Sequence, residues 1–232
     1  MIEAQGLIET DRLATLSING SGSVFWDGVA KIYTSVIVWI PLALVAILLI
    51  LKNVNPRRLF LVLVLIAVTI LISDQLSSSV FKPLFHRLRP THDPYILNMV
   101  DTVSGYRGGL YGFISSHAAN SFGVATLFML LVQDKWFSLA VIIWAILNSV
   151  IRTYLGVHFV GDILAGAVAG VLVGSIIYWI YSMITRRDKM RNTHESSLLY
   201  TRSGFMYSDV LTFMSVLFGT YCVIMLGACF YI

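Results

Sequence analysis

The sequence predicts an all-α fold: a polytopic transmembrane helical bundle of about six spans, with a short N-terminal interfacial helix. Three observations predict it. Of the 232 residues, 57% are hydrophobic, and the mean hydropathy is +0.81. Such values belong to a chain that shares its core with lipid, not to a soluble domain. Apolar runs long enough to cross a bilayer recur along the chain. Charged residues make up only 12% and fall mostly between those runs. At this length a single membrane-embedded domain over 1–232 is expected. Its polar motifs lie in a core of about 57–182, and an extra span follows at about 210–232.

The elements follow in order. Residues 1 to about 30 mix Ile2, Leu7, Ile8, Leu13, Leu16 and Ile18 with Glu3, Glu9, Asp11 and Arg12. This spacing suits a short helix lying in the interface. Asn19-Gly20-Ser21-Gly22 ends it, and Phe25-Trp26 suit the headgroup level. Met-Ile-Glu-Ala-Gln is not a cationic start before an apolar run, so no cleavable leader is expected. The first span is 35–51, with a kink expected at Pro41. A basic turn holds Lys52, Arg57 and Arg58. The second span, 59–80, is interrupted late by Asp74-Gln75. A polar loop covers about 82–112, and the third and fourth spans are 113–132 and 136–154. The fifth, 159–184, carries Gly166, Gly170 and Gly174, a small-residue seam for close helix packing. A basic linker at 186–207 precedes the last span.

The net charge of +4 is spread among loops, which excludes a nucleic-acid binder and fits contact with anionic lipid. Cys222 and Cys229 both sit in the last apolar run. They read as small buried residues, neither a disulfide nor a metal pair. Lys52, Arg57 and Arg58 and the arginines of the 186–207 linker fall on one side of a six-span bundle. The positive-inside rule makes that side cytoplasmic. The 82–112 loop and the Arg152–His158 corner then face outward.

Three polar pieces converge on that outer side. Lys82 and Arg89 are seven residues apart, two helical turns, and Pro90 follows. A compact ammonium and a planar guanidinium suit the several oxygens of a phosphate. Ser115-Ser116-His117 opens the third span. Unpaired N–H groups at a helix start favour an anion, a serine caps them, and a histidine there can protonate a leaving group. Arg152, His158 and Asp162 form the third piece. A helix starting near His158 would put Asp162 on the same face, oriented to hold the ring. Each piece alone also fits a helix cap or a cation reaching to headgroups. Together they suit phosphoryl transfer, where catalysis is mainly positioning and charge stabilisation.

This pattern resembles the three signature motifs of the type 2 phosphatidic acid phosphatase superfamily, membrane lipid phosphatases that share a core with vanadium haloperoxidases. Lys82, Arg89 and Pro90 match the first motif in full. Ile114-Ser115-Ser116-His117 stands where Pro-Ser-Gly-His is usual. Arg152, His158 and Asp162 keep the third, with Ile151 in place of serine. The resemblance implies an integral-membrane phosphatase acting on a lipid monophosphate or diphosphate. Polyprenyl diphosphate, phosphatidylglycerol phosphate, phosphatidate and lipid A phosphates are all substrates in the superfamily. It implies His158 as nucleophile forming a phosphohistidine, Asp162 as its orienting partner and His117 as general acid, then base. It implies Lys82, Arg89, Arg152, Ser115 and the amide of Ser116 as phosphate ligands, with no metal and no cofactor. The implied setting is a bacterial inner membrane with the site on the periplasmic side; the oligomeric state is left open.

Asp74 is assigned to structural support, and His86, Arg87, His92, Asp93, Tyr106 and Arg107 to a solvated loop. The rivals are a haloperoxidase-like vanadate site and a non-catalytic lipid- or anion-binding protein or transporter. A transporter would carry paired inverted repeats and helices broken at mid-membrane, which the sequence lacks.

Overall fold

A computed structural model describes residues 2–185 and 199–231. The described chain is helical: α1 (Ile2–Ile18), α2 (Val24–Tyr33), α3 (Val36–Asn53), α4 (Pro56–Gln75), α5 (Lys82–Phe85), α6 (Ser116–Val132), α7 (Lys135–Tyr154), α8 (Val160–Thr185) and α9 (Tyr207–Ala228). Local chemistry sets several boundaries. Asn55 caps α4 through Arg57 N, with Pro56 in the first helical position. Asp134 caps α7 by accepting from Trp136 N and Phe137 N. Pro41 lies inside α3, which runs on across it.

Five helices of the described residues are long and apolar enough to cross a membrane, and α6 is a shorter apolar helix of 17 residues. The expected bundle is therefore present, with its third span short. One boundary moves substantially. The second span continues through a π-helical turn, Leu76–Phe81, into α5, making one 30-residue unit from Pro56 to Phe85. Lys82 thus belongs to a helix end, not to the following loop. The N-terminal segment forms two helices, α1 and α2, where one was expected. Leu7, Leu13 and Ile18 are exposed on α1, while Thr15 and Asn19 are buried.

The core centres on α6, which packs on α8, α7 and α4. The expected glycine seam forms, and α6 is its partner. A Cβ on Gly166 would stand 2.6 Å from the Ser115 carbonyl oxygen. Cβ atoms on Gly170 and Gly174 would collide with the carbonyl oxygens of Ala119 and Gly123. Backbone meets backbone along this seam, which only residues without a side chain permit. The apolar core unites Leu49, Ile50, Val62, Leu127, Val132, Phe137 and Phe213. The C-terminal α9 packs on α2 and α3. Both Cys222 and Cys229 are exposed on it, correcting the expectation that they are buried. The inward stripe of α9 is instead Val210, Phe213, Leu217, Thr220 and Ile224. Of the 186–207 linker, residues 186–198 lie outside the described residues. At the basic end of the bundle, Lys52 and Asn53 bind Asp209 at 3.1 and 2.9 Å.

Candidate active site

The site is built where α5 ends, α6 begins, α7 ends and α8 begins, so one end of the bundle supplies every predicted residue. Connectivity explains this. The α4–α5 unit and α7 run one way, α6 and α8 the other, so these four termini meet.

His158 sits in the α7–α8 turn, two residues before α8, and is 2% exposed. The helix does not include it, contrary to the shared-face expectation, yet the pair still meets. His158 Nδ1 lies 3.5 Å from Asp162 Oδ2, beyond a well-formed hydrogen bond but in electrostatic contact. Asp162 occupies the first turn of α8 and is fully buried. Its Oδ2 accepts from Phe159 N at 3.0 Å, capping the helix from inside. Its carbonyl accepts from Ser115 N at 3.0 Å, joining the starts of α8 and α6. Burial, the larger influence, lowers the His158 pKa below its usual value; Asp162 opposes this, and Arg89 and Lys82 reinforce it. The ring is held neutral, with Nδ1 turned to the carboxylate. Nε2 is the ring nitrogen that this contact leaves unengaged.

Arg89 and Lys82 act on the His158 ring, and Arg152 joins them in the field on His117. Lys82 Nζ donates to Ser116 Oγ at 2.9 Å, and Ser116 Oγ shares a 2.7 Å hydrogen bond with Ser77 Oγ. Arg89 donates through Nε to Tyr111 O at 3.1 Å and through Nη1 to Val157 O at 3.2 Å. Arginine has five donors, and these two contacts fix the plane of the fork. Arg89 is not on one helix with Lys82, as the seven-residue spacing had implied. His86, at φ 47°, turns the chain out of α5, and a short bridge between Leu88 and Tyr111 sets Arg89 in place. Burial lowers the Arg89 pKa, opposed by Tyr106 and Asp162, but a guanidinium stays charged. Arg152, near the end of α7, has its Nε buried with no protein hydrogen-bond partner among the described residues. A buried, unmatched cationic donor is costly unless an anion completes it.

Ser115 is fully buried and N-caps α6, accepting from Ala118 N at 3.4 Å. Capping uses its lone pair and leaves its O–H to donate. His117 is exposed in the first turn of α6, and the field on it comes from Arg152, His158, Arg89 and Lys82. Those four surround one electrostatic locus, as expected of a shared site.

Sequence reasoning missed two contributors. Gly112 gives the backbone its close approach: a Cβ there would stand 2.8 Å from Asp162 Oδ2 and 3.6 Å from His158 Nδ1. Arg87, assigned to a solvated loop, instead donates through Nη1 to Asp162 Oδ1 at 2.9 Å. No local pattern marks Arg87, because its partner is 75 residues away. Of the other loop residues, Asp93 is buried and paired with Arg12 at 3.0 Å, while Tyr106 and Arg107 are exposed.

Comparison with known proteins gives the family. A family model described as the PAP2 superfamily matches residues 57–186. A lipid A 4'-phosphatase of Bacteroides thetaiotaomicron is 39% identical over 188 residues, covering 81% of this chain and 83% of that protein. A lipid A 4'-phosphatase of Porphyromonas gingivalis is 34% identical, covering 75% and 74%. The crystal structure of a transmembrane PAP2-type phosphatidylglycerolphosphate phosphatase from Bacillus subtilis superposes with a TM-score of 0.55 at 20% identity, covering 80% of this chain and 90% of that one. That likeness is one of fold. The motif residues meet at one end of an apolar bundle, and the matches span most of the chain: it belongs to the PAP2 superfamily and is a membrane lipid phosphatase.

Proposed function

We propose that this protein removes the 4'-phosphate of lipid A at the outer face of a bacterial inner membrane, through a phosphohistidine on His158. The observation that carries the chemistry is the cation set around a buried, carboxylate-held histidine. Arg89 is fixed by two carbonyls, Lys82 is held at the start of α6, and Arg152 keeps a buried donor unmatched among the described residues. Two relatives that cover about three quarters or more of this chain, both described as lipid A 4'-phosphatases, support the substrate. The orientation rests on charge: Lys52, Arg57 and Arg58 lie at the opposite end of the bundle from His158.

In this mechanism the phosphate oxygens are held by Lys82, Arg89, Arg152, the Ser115 hydroxyl and the amides opening α6, including that of Ser116. Nε2 of His158 attacks phosphorus as the sugar oxygen departs, taking the proton of His117. Negative charge spread over the equatorial oxygens is met by cations already in place, so little reorganisation is needed. Asp162 stabilises the positive charge that develops on the His158 ring. Neutral His117 then takes a proton from water as its oxygen attacks phosphorus. The phosphorus–Nε2 bond breaks and inorganic phosphate leaves.

The test is phosphate release by purified protein from a panel of bis-phosphorylated lipid A, phosphatidylglycerol phosphate, phosphatidate and a polyprenyl diphosphate, with the lipid A product located by mass spectrometry. The expected product has lost the 4'-phosphate and kept the 1-phosphate. Preferential turnover of another panel member would overturn the substrate.

A further inference from the structure

The Asp162 carboxylate is fully buried and needs compensation for its lost hydration. Arg87 supplies a donor to Oδ1 at 2.9 Å. The same guanidinium donates through Nη2 to Asp11 Oδ2 at 2.6 Å and lies 4.2 Å above the Phe159 ring. Its plane is therefore fixed on three sides. Asp11 comes from α1, outside the residues matched by the family model. Its other oxygen accepts from Gly161 N at 2.8 Å, and Thr15 Oγ1 accepts from Val160 N at 3.2 Å. So α1 supplies the partners for two N–H groups at the start of α8. Gly161 is bare for a reason: a Cβ there would meet Asp11 Oδ2 at 2.7 Å and Arg87 Nη1 at 3.3 Å. A second, separate anchor holds α1: Arg12 donates to both carboxylate oxygens of Asp93 at 3.0 and 3.2 Å.

We propose that Arg87, clamped by Asp11 of the N-terminal helix, is a positioning residue that orients Asp162 and, through it, tunes the reactivity of His158. The inference rests on His158 being the nucleophile. Arginine suits the task because its planar fork bonds two carboxylates at once, which an ammonium does less well. With Arg87 in place, the negative charge on Asp162 is partly neutralised, so Asp162 steadies the ring without binding a proton to it too firmly. The other charged groups acting on His158 are Arg89, Lys82 of α5 and His117 of α6.

The test uses full-length protein in detergent micelles, with kcat and KM for bis-phosphorylated lipid A measured across pH. Arg87→Met is expected to lower kcat on the order of 10- to 100-fold with little change in KM. It should also move the acid limb of kcat/KM to higher pH, because the His158–Asp162 pair then takes up a proton more readily. Arg87→Lys should recover part of kcat and part of the limb position. Arg12→Met is the control, since it loosens the same helix without touching Asp162. It should lower thermal stability and leave the limb where it is. A wild-type limb and kcat in Arg87→Met, or an equal limb shift in Arg12→Met, would overturn the proposal. If Arg87→Met does not fold, Arg87→Lys decides, and an unmoved limb with full kcat overturns it. His158→Ala separates the two readings. Activity in that variant removes the nucleophile itself, whereas an inactive variant beside unaffected Arg87 variants removes only the role of Arg87.

Discussion

Lys82 Nζ donates to Ser116 Oγ across 2.9 Å, so the ammonium proposed to bind phosphate is tied to the side chain that departs from the family's usual glycine. Ser116 also bonds Ser77, whose hydroxyl reaches the Ile114 carbonyl at 2.8 Å. The serine thus takes one of the three donors of Lys82 and braces the start of α6, leaving the Ser116 amide in place. Replacing it by glycine removes one hydrogen bond made by the cation, worth about 1.5–3 kcal/mol for a charged donor and less where the phosphate takes up the freed donor. Ser116→Gly is expected to change KM by less than about 10-fold and leave kcat near wild type. Lys82→Ala should cost far more, on the order of 100-fold in kcat/KM. Steady-state kinetics of the two variants checks this ranking; a reversed order contradicts the assignment of Lys82.

The proposed mechanism gives His117 two tasks, and a substrate can separate them. A lipid alkoxide needs a proton to leave, whereas p-nitrophenolate does not. His117→Ala should lose on the order of 100- to 10,000-fold in kcat on lipid phosphates. With p-nitrophenyl phosphate it should give a burst of nitrophenol and then stall as phosphoenzyme, because the water-attack step lacks its base. Rapid-quench kinetics measures the burst, and equal slow turnover of both substrates would argue against this division of labour.

With His158 as the proposed nucleophile, burial of its ring sets the acid limit expected of the reaction. The His158 pKa is lowered below its usual value of about 6.5, principally by burial. The neutral ring, the proposed nucleophile, therefore persists below pH 6.5 and is lost only as the pH falls through the lower, folded-state value. A kcat/KM profile should show its acid limb below pH 6.5. The stability linkage has the same sign. The unfolded chain takes up this proton near pH 6.5 and the folded chain only at lower pH, so the group's contribution is full above pH 6.5 and declines through the folded value. An acid limb above pH 7 would contradict a buried, neutral His158.

Gly112 leaves room for the Asp162–His158 contact. Gly112→Ala should lower kcat by about 10-fold or more, because the methyl group presses on Asp162 Oδ2. Its thermal stability should fall by no more than about 1–3 kcal/mol. Activity measured beside a detergent melting curve separates the two effects; full activity would mean that the close approach is idle.

Gly170 serves the scaffold. Gly170→Val would drive a side chain into the Ala119 carbonyl and part α6 from α8. Overpacking of this kind costs about 1–3 kcal/mol or more. The expected readout is a lowered melting temperature and loss of activity together, since α6 carries His117 and α8 carries Asp162. A variant with wild-type melting would show that the seam is not tight.

Much of this molecule follows from sequence alone. Apolar length determines the spans, because a bilayer accepts only helices or closed barrels. The resemblance of three motifs to the family's signatures points to Lys82, Arg89, Ser115, His117, Arg152, His158 and Asp162 as candidates, because each motif holds its residues within about ten positions. Glycines four apart in α8 announce a close helix contact, though not its partner. The tertiary structure decided what depends on distant partners. It chose α6 for the seam, turned Cys222 and Cys229 outward, and made Arg89 meet Lys82 through a turn at His86 instead of along a helix. Above all, it joined Asp11, Arg87 and Asp162 from three distant parts of the chain. The reason is physical. Periodicity and motif spacing report local geometry, whereas the compensation of a buried carboxylate is met by whichever cation the fold brings within about 3 Å.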